Sequence, residues 1–348
     1  MISVAQIGIG YWGPNLLRNL VLHESCNVKK VIDISKQRCE FVKKHYPHIY
    51  VGENSDEIFN DDSIDAVIIA TPVSTHYELA MRALQAGKHV LVEKPMAKTV
   101  EEVDEIGLIA QRKNLVAMVG HTFLYNSAVR YLKRIINAGE LGGIRYIYSQ
   151  RLNLGRIRSD VDALWNFAPH DISIIQYILN DPVPSSVVRY GMDYVQERVE
   201  DVVFMNIIYP NKIMAHVHVS WLDPHKVRRM TVVGSNKMAV YDDIAENKIA
   251  IYDKGIDKIA TLGENMDFDT LQFMKFNHRS GDVILPKIHY EEPMKVEIAH
   301  FINCIQNGES CLTGPEHAKA VLQVLTLADQ HERYDFSFSN KCRGGFGS

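Results

Sequence analysis

The sequence predicts an α/β protein: an N-terminal Rossmann domain with a doubly wound parallel sheet, then a C-terminal α/β domain on a large, open, mainly antiparallel sheet. Three observations predict this. Up to Gly120, short apolar strands alternate with amphipathic helices, the pattern of a parallel sheet covered on both faces. The turn between the first strand and the first helix reads Gly8-Ile9-Gly10-Tyr11-Trp12-Gly13. After Gly120, successive strand-like segments are joined by short turns, as in an antiparallel sheet.

The elements follow in order. Ile2–Ile7 is a short apolar strand, and Leu16, Leu17, Leu20 and Val21 recur at helical spacing. Val28–Ile32 predicts the second strand and Ser35 to Tyr46 a polar helix. Ala66–Ala70 is a buried strand, Tyr77–Ala86 a helix closed by Gly87, and His89–Val92 another strand. Val100–Gln111 predicts a helix and Leu115–Val119 a strand. Right-handed crossovers between parallel strands then give the doubly wound arrangement.

Beyond Gly120, a helix over Ala128–Ala138 ends at Gly139. Strands are predicted at Ile144–Leu154, Ser186–Tyr194, Asp201–Tyr209, Ile213–Trp221, Val227–Val233, Met238–Asp242 and Lys248–Tyr252. A helix over Pro169–Leu179 interrupts them, Gly255–Pro286 reads as irregular, and helices over Pro293–Gln306 and Pro315–Gln330 finish the fold.

A chain of 348 residues exceeds what one core usually holds, so two domains are expected: residues 1–122 and 123–340, with 341–348 as a loose tail. The net charge of −4 carries no basic excess, which argues against nucleic acid and anionic membrane as partners. No apolar run reaches the roughly 20 residues of a membrane helix. The start lacks the charged and apolar regions of a signal peptide, so a cytoplasmic location is expected. Cys26, Cys39, Cys304, Cys311 and Cys342 are scattered without a C-x-x-C pair, and no metal site is predicted.

The glycine loop sits in the right context for a dinucleotide. Gly8 allows the tight turn, Gly10 lets backbone approach a pyrophosphate, and Gly13 lets helix and sheet pack closely. Tyr11 and Trp12 fall within the same loop, and the following helix N-terminus favours phosphate. Asp33 ends the second strand, where its carboxylate accepts from an adenosine ribose and repels a 2′-phosphate; NAD is therefore favoured over NADP. Lys36 and Arg38 follow closely, either softening that repulsion at the cofactor or lining a solvated helix face.

Two further segments carry a family resemblance. Ala70-Thr71-Pro72-Val73-Ser74-Thr75-His76 resembles the post-strand loop near the nicotinamide ribose in the glucose-fructose oxidoreductase/inositol dehydrogenase/MocA group. Gly87-Lys88-His89-Val90-Leu91-Val92-Glu93-Lys94-Pro95 is similar to that group's most specific signature. The likeness runs on through Gly139-Glu140-Leu141-Gly142, Glu292-Pro293 and His300-Phe301. It implies hydride transfer between nicotinamide and a ring hydroxyl of a sugar or cyclitol. It implies cofactor contacts from Thr71, Pro72, His76, Glu93 and Lys94, and a homodimer or homotetramer through the C-terminal sheet.

Oxidising a secondary alcohol needs a group to hold the carbinol oxygen and a base for its proton. Lys94 follows a strand at the rim where α/β sheets bind ligands, and the resemblance makes it the catalytic residue on the reacting oxygen. His170 matches the family's active-site histidine. With Pro169 read as the first helical residue, His170 falls in the first turn, where the helix dipole and Lys94 both favour neutral imidazole. The family commonly carries aspartate four residues before this histidine; here the position is Asn166, which orients substrate but relays no proton.

Arg151, Arg156 and Arg158 precede this segment. Forked guanidiniums suit a diphosphate or carboxylate, and a solvated loop is the other reading. Tyr125, Asn126, His121 and Asn153 are further pocket candidates. Gly120-His121-Thr122-Phe123-Leu124-Tyr125-Asn126 and Ala168-Pro169-His170-Asp171 resemble members associated with bacterial surface-polysaccharide sugars. That likeness implies NAD-dependent oxidation of a nucleotide sugar, at C3 of a UDP-N-acetylhexosamine or its uronate. A dehydrogenase of a free sugar or inositol, or a non-catalytic NAD(H)-binding regulator, are the alternatives.

Overall fold

The computed structural model describes residues 1–155, 157–159, 161–260 and 274–330. Arg156, the expected tail and Cys342 lie outside the described residues.

The first sheet has six parallel strands: β1 (Ile2–Ile7), β2 (Cys26–Ile32), β3 (Tyr50–Gly52), β4 (Ala66–Ile69), β5 (His89–Glu93) and β6 (Ala117–Gly120). Helices α1 (Gly13–Leu22), α2 (Lys36–His45), α3 (Asp56–Phe59), α4 (His76–Gln85) and α5 (Val100–Lys113) connect them. β3 and α3 escape the sequence reading because three and four residues are too few to show a period. The strand order is β3-β2-β1-β4-β5-β6, so direction reverses between β1 and β4 and opens a crevice beyond their carboxyl ends. Register pairs Ile7 with Ile69, Ile69 with Val92, and Glu93 with Gly120. The residues that follow these pairs (Gly8, Ala70, Lys94 and His121) therefore share one edge of the sheet.

After α6 (Ser127–Asn137), the second sheet is built from β7 (Ile144–Leu152), β8 (Ser186–Met192), β9 (Val202–Tyr209), β10 (Ile213–Ser220), β11 (Val227–Gly234), β12 (Met238–Asp242), β13 (Ile249–Ala260) and β14 (Met274–Ile284). Its order is β14-β13-β12-β11-β7-β10-β9-β8. Every described pair is antiparallel except β7 with β10. β13 and β14 correct the expectation of irregular chain over the described parts of Gly255–Pro286, where the two strands pair along most of their length; residues 261–273 lie outside the described residues.

α7 (Ala163–Leu179) packs on β7 and β10. It starts six residues earlier than the sequence reading places it, because Asp162 caps the helix by accepting from the Trp165 N–H at 2.9 Å. Pro169 is thus inside the helix, where it leaves the Trp165 carbonyl without its helical donor. α8 (Pro293–Asn307) packs against α1, and α9 (Pro315–Gln330) against both α5 and α7. These contacts merge the two halves into one buried apolar cluster. Among the described residues, no helix is long and apolar enough to cross a membrane.

Candidate active site

The glycine loop is held from beneath. Gln6, fully buried on β1, donates from Nε2 to the carbonyls of Gly8 and Gly13, both at 2.9 Å. Gly8 has φ +95°, and a Cβ there would meet Ala70 O at 2.5 Å. A Cβ on Gly13 would meet Gly8 O at 2.6 Å. Gly10 differs: nothing lies within 4 Å of its would-be Cβ. Packing therefore demands glycine at 8 and 13, while Gly10 borders open space at a helix N-terminus, as a pyrophosphate cradle requires.

Asp33 closes the loop's far side. Its Oδ2 accepts from the Ile9 N–H at 2.6 Å and its Oδ1 from the Ser35 N–H at 2.8 Å, which fixes the carboxylate beside the cradle. Tyr11 and Trp12 are exposed on the loop, and Arg38 is exposed on α2. These residues fit a bound NAD: a backbone cradle for phosphates and an oriented acceptor for the ribose.

In the loop after β4, Pro72 is exposed and the Thr71 hydroxyl lies 2.7 Å from that of Thr75. His76 departs from its expected cofactor contact. It is 1% exposed, with Nδ1 2.8 Å from Pro95 O and Nε2 2.8 Å from Thr71 O. Both ring nitrogens are thus spent on backbone, tying the loop after β4 to the loop after β5.

Lys94 is partly buried, and its Nζ donates to Asn166 O at 3.1 Å. Burial pushes its pKa down to about 8; Glu93 opposes this, while Arg158 and Arg151 add to it. Burial raises Glu93 to about 7, against the pull of Lys94. The Glu93 carboxylate lies over Gly120, 3.3 Å from where a Cβ would stand. Behind it, Glu297 of α8 is fully buried and accepts from the Thr122 hydroxyl at 2.8 Å. Its pKa is raised well above the usual range by burial and then by Glu93.

His170 stands on α7 one turn beyond Asn166, with its ring 5.1 Å from that of Phe123. Its pKa is held well below the ordinary value by burial first, then by Lys94 and Arg151. The neutral state expected from the sequence is favoured, and Lys94 contributes to it as expected, but burial leads and the helix dipole is not a source, because His170 is not in the first turn.

The remaining candidates divide. Asn153 is partly exposed after β7, Asn166 is partly exposed on α7, and Arg158 is exposed close enough to lower the Lys94 pKa. Arg156 lies outside the described residues. Arg151 is 5% exposed and bound to Asp171, Nε to Oδ2 at 2.5 Å, so the fork is committed to a buried ion pair rather than to a ligand. Tyr125 corrects its expectation too: it is fully buried, with its hydroxyl 3.0 Å from Thr313 Oγ1, behind the site. Asn126 caps α6 by accepting from the Ala128 N–H at 2.9 Å. Gln6 and Glu297 were missed by the sequence reading. A polar residue inside an apolar strand signals the first, and nothing local signals the second.

His300, Cys304 and Cys311, unconnected by any motif, come together with their ligand atoms within 4.8 Å of one another. The Leu312 N–H already donates to His300 Nε2 at 3.0 Å, which uses the lone pair a metal would need.

Residues 2–121 match the oxidoreductase family with an NAD-binding Rossmann fold, and residues 129–240 match the GFO/IDH/MocA C-terminal domain. The chain belongs to the Gfo/Idh/MocA oxidoreductase family. Its NAD-binding Rossmann fold supports an NAD(H) cofactor. It is 35% identical over 166 residues to the scyllo-inositol 2-dehydrogenase (NADP(+)) IolW of Bacillus subtilis, covering 47% of this chain and 46% of that one. It is 32% identical over 193 residues to the UDP-N-acetylglucosamine 3-dehydrogenase of Acidithiobacillus ferrooxidans, covering 55% and 59%. The matched region thus spans about half the length of these curated relatives. The solved structure of the Acidithiobacillus enzyme superposes with a TM-score of 0.77 at 24% identity, over 95% of this chain and 97% of that one, a likeness of fold.

Proposed function

We propose that this protein oxidises a ring secondary hydroxyl of a nucleotide-activated sugar with NAD, at C3 of a UDP-N-acetylhexosamine or its uronate. The observation that carries the reading is the convergence of Lys94 and His170, through Asn166, at the sheet edge that continues from the glycine loop. NAD, when bound, supplies the hydride acceptor. Lys94 holds the carbinol oxygen by a charge-assisted hydrogen bond and stabilises the developing alkoxide. His170, neutral at pH 7, takes the proton. Thr71, Pro72 and Glu93 border the nicotinamide end, and Arg158, Asn153 and Asn166 flank the substrate; Arg156, outside the described residues, is a further candidate for the same role.

Similarity to the UDP-N-acetylglucosamine 3-dehydrogenase supports the nucleotide sugar. Similarity to IolW supports a second reading, a dehydrogenase of free inositol or sugar. Purified protein with NAD and UDP-N-acetylglucosamine, its uronate, or free inositol decides between them by absorbance of NADH. Turnover of inositol alone would sink the nucleotide-sugar reading.

An oligomer through the second sheet is part of the same proposal. One face of that sheet exposes Tyr190, Phe204, Ile208 and Met214, aligned across β8, β9 and β10. A row of exposed apolar side chains on a sheet face is a usual subunit contact.

A further inference from the structure

An oxidation at Lys94 and His170 releases a proton into a buried site, and Asn166 cannot pass it on. Three other groups run from that site to the surface. His121 follows β6 at the same sheet edge as Lys94 and is 3% exposed; its Nδ1 is enclosed and has no hydrogen-bond partner. His317, the third residue of α9, is 4% exposed. Its Nδ1 lies 2.8 Å from Asp181 Oδ1, and its Nε2 is enclosed without a partner. The two rings meet edge to face with centroids 5.2 Å apart. Asp181, just past the end of α7, has a side chain 39% exposed.

An enclosed polar nitrogen without a partner costs about 1–3 kcal/mol, and apolar side chains would fill the same space without that cost. Here two such nitrogens belong to rings in contact. A cavity of about 10 Å³ adjoins His121, its lining otherwise apolar and including Pro95, Pro169 and Ala318, the neighbours in sequence of Lys94, His170 and His317. That is close to the room one water needs. The Asp181 carboxylate also sets a tautomer: His317 donates from Nδ1, so its Nε2 lone pair faces inward as an acceptor.

We infer that His121, His317 and Asp181 relay the reaction's proton from the active site to solvent. The inference rests on the dehydrogenase reading above. The proton that His170 takes from the carbinol reaches His121 Nε2 through water in the cleft. His121 gives up its Nδ1 proton, through one bridging water, to His317 Nε2. His317 gives its Nδ1 proton to the Asp181 carboxylate, which loses it to bulk water. Each transfer breaks one N–H or O–H bond and forms another, and no oxidant is consumed. Rotation of the two rings restores the starting tautomers. Burial, then His317 and Lys94, hold the His121 pKa well below the ordinary value, so His121 passes protons rather than storing one.

Two measurements test the relay. The first needs no turnover: long-range ¹H–¹⁵N spectra of histidine-labelled protein, assigned by the signals lost in His317→Gln and His121→Gln. Both residues are expected as Nδ1–H tautomers; His121 as the Nε2–H tautomer, or His317 with its Nε2 protonated, would overturn the relay. The second follows NADH and a pH-indicator dye together after mixing with NAD and UDP-N-acetylglucosamine. In wild type the proton appears with NADH. In His317→Gln it should lag, with steady-state turnover down about tenfold and a larger solvent deuterium effect. Asp181→Asn, at the surface, gives the same reading if His317→Gln does not fold. Proton release in step with NADH in these variants would overturn the relay and leave the dehydrogenase reading standing. Absence of NADH with every sugar would overturn that reading, and the relay of its proton with it.

Discussion

Lys94 Nζ donates a 3.1 Å hydrogen bond to the carbonyl of Asn166, the carbonyl that an α-helix offers to the N–H of His170. The lysine on the first sheet and the histidine on α7 are therefore registered through one backbone atom.

This registration predicts a bell-shaped pH profile. His170 is effective when neutral, and its pKa lies well below the ordinary 6.5, so activity rises with pH on the acid side. Lys94 is effective as the ammonium, and its pKa is about 8, so activity falls as pH rises through that value. Lys94→Met should lower kcat by about 10²–10⁴ and abolish the alkaline limb. The measurement is kcat/KM against pH; an unchanged alkaline limb in the variant would assign it elsewhere.

Asn166→Asp should move the acid limb. A carboxylate near an imidazole favours the charged form and raises its pKa, by roughly one unit or more at close range. The variant's kcat/KM should therefore begin to rise at higher pH than the wild type's. An acid limb at the same pH would show that position 166 does not face His170.

Much of this was legible in the sequence, for identifiable reasons. The parallel sheet and the glycine loop rest on local periodicity and on turn geometry that only glycine satisfies, as Gly8 does at φ +95°. Pro169 misled because proline at a helix start is the common case; the capping carboxylate of Asp162 lies seven residues upstream and outweighs it. Arg151 and Tyr125 look like pocket residues in one dimension, but Asp171 and Thr313 claim them across the fold. His317 and Glu297 are invisible to local pattern, since their partners Asp181 and Thr122 lie far away in the chain.

The glycines divide into turn and cradle, and the two are separable. Gly8→Ala forces a positive φ on alanine and a clash with Ala70 O, so a loss of about 1–3 kcal/mol or more is expected in thermal unfolding without cofactor. Gly10→Ala meets open space and should leave that unfolding unchanged. Its NAD affinity should fall about tenfold, equivalent to about 1.4 kcal/mol, as the methyl crowds the pyrophosphate. Titration of NAD by fluorescence checks this; equal affinities would remove Gly10 from the cradle.

Glu297 offers a stability test with a definite sign. It is fully buried, Oε2 accepts from Thr122, and Oε1 has no partner. Its folded-state pKa is raised well above 4.5, by burial and then by Glu93. A raised carboxyl pKa means that the folded state binds the proton more tightly than the unfolded state. The stability it contributes is full below the unfolded pKa and is lost as pH rises through the folded one. Glu297→Gln keeps the shape and a hydrogen-bonding oxygen for Thr122 but cannot ionise. Relative to wild type, it should gain thermal stability between about pH 5 and about pH 8. Glu297→Ala should lose about 1–3 kcal/mol near pH 5, because the Thr122 hydroxyl loses its acceptor, and less near pH 8, where the wild type has itself lost the proton-linked stability. A constant difference in Tm between wild type and Glu297→Gln would show that Glu297 does not titrate in this range, and that Glu93 alone carries the local charge.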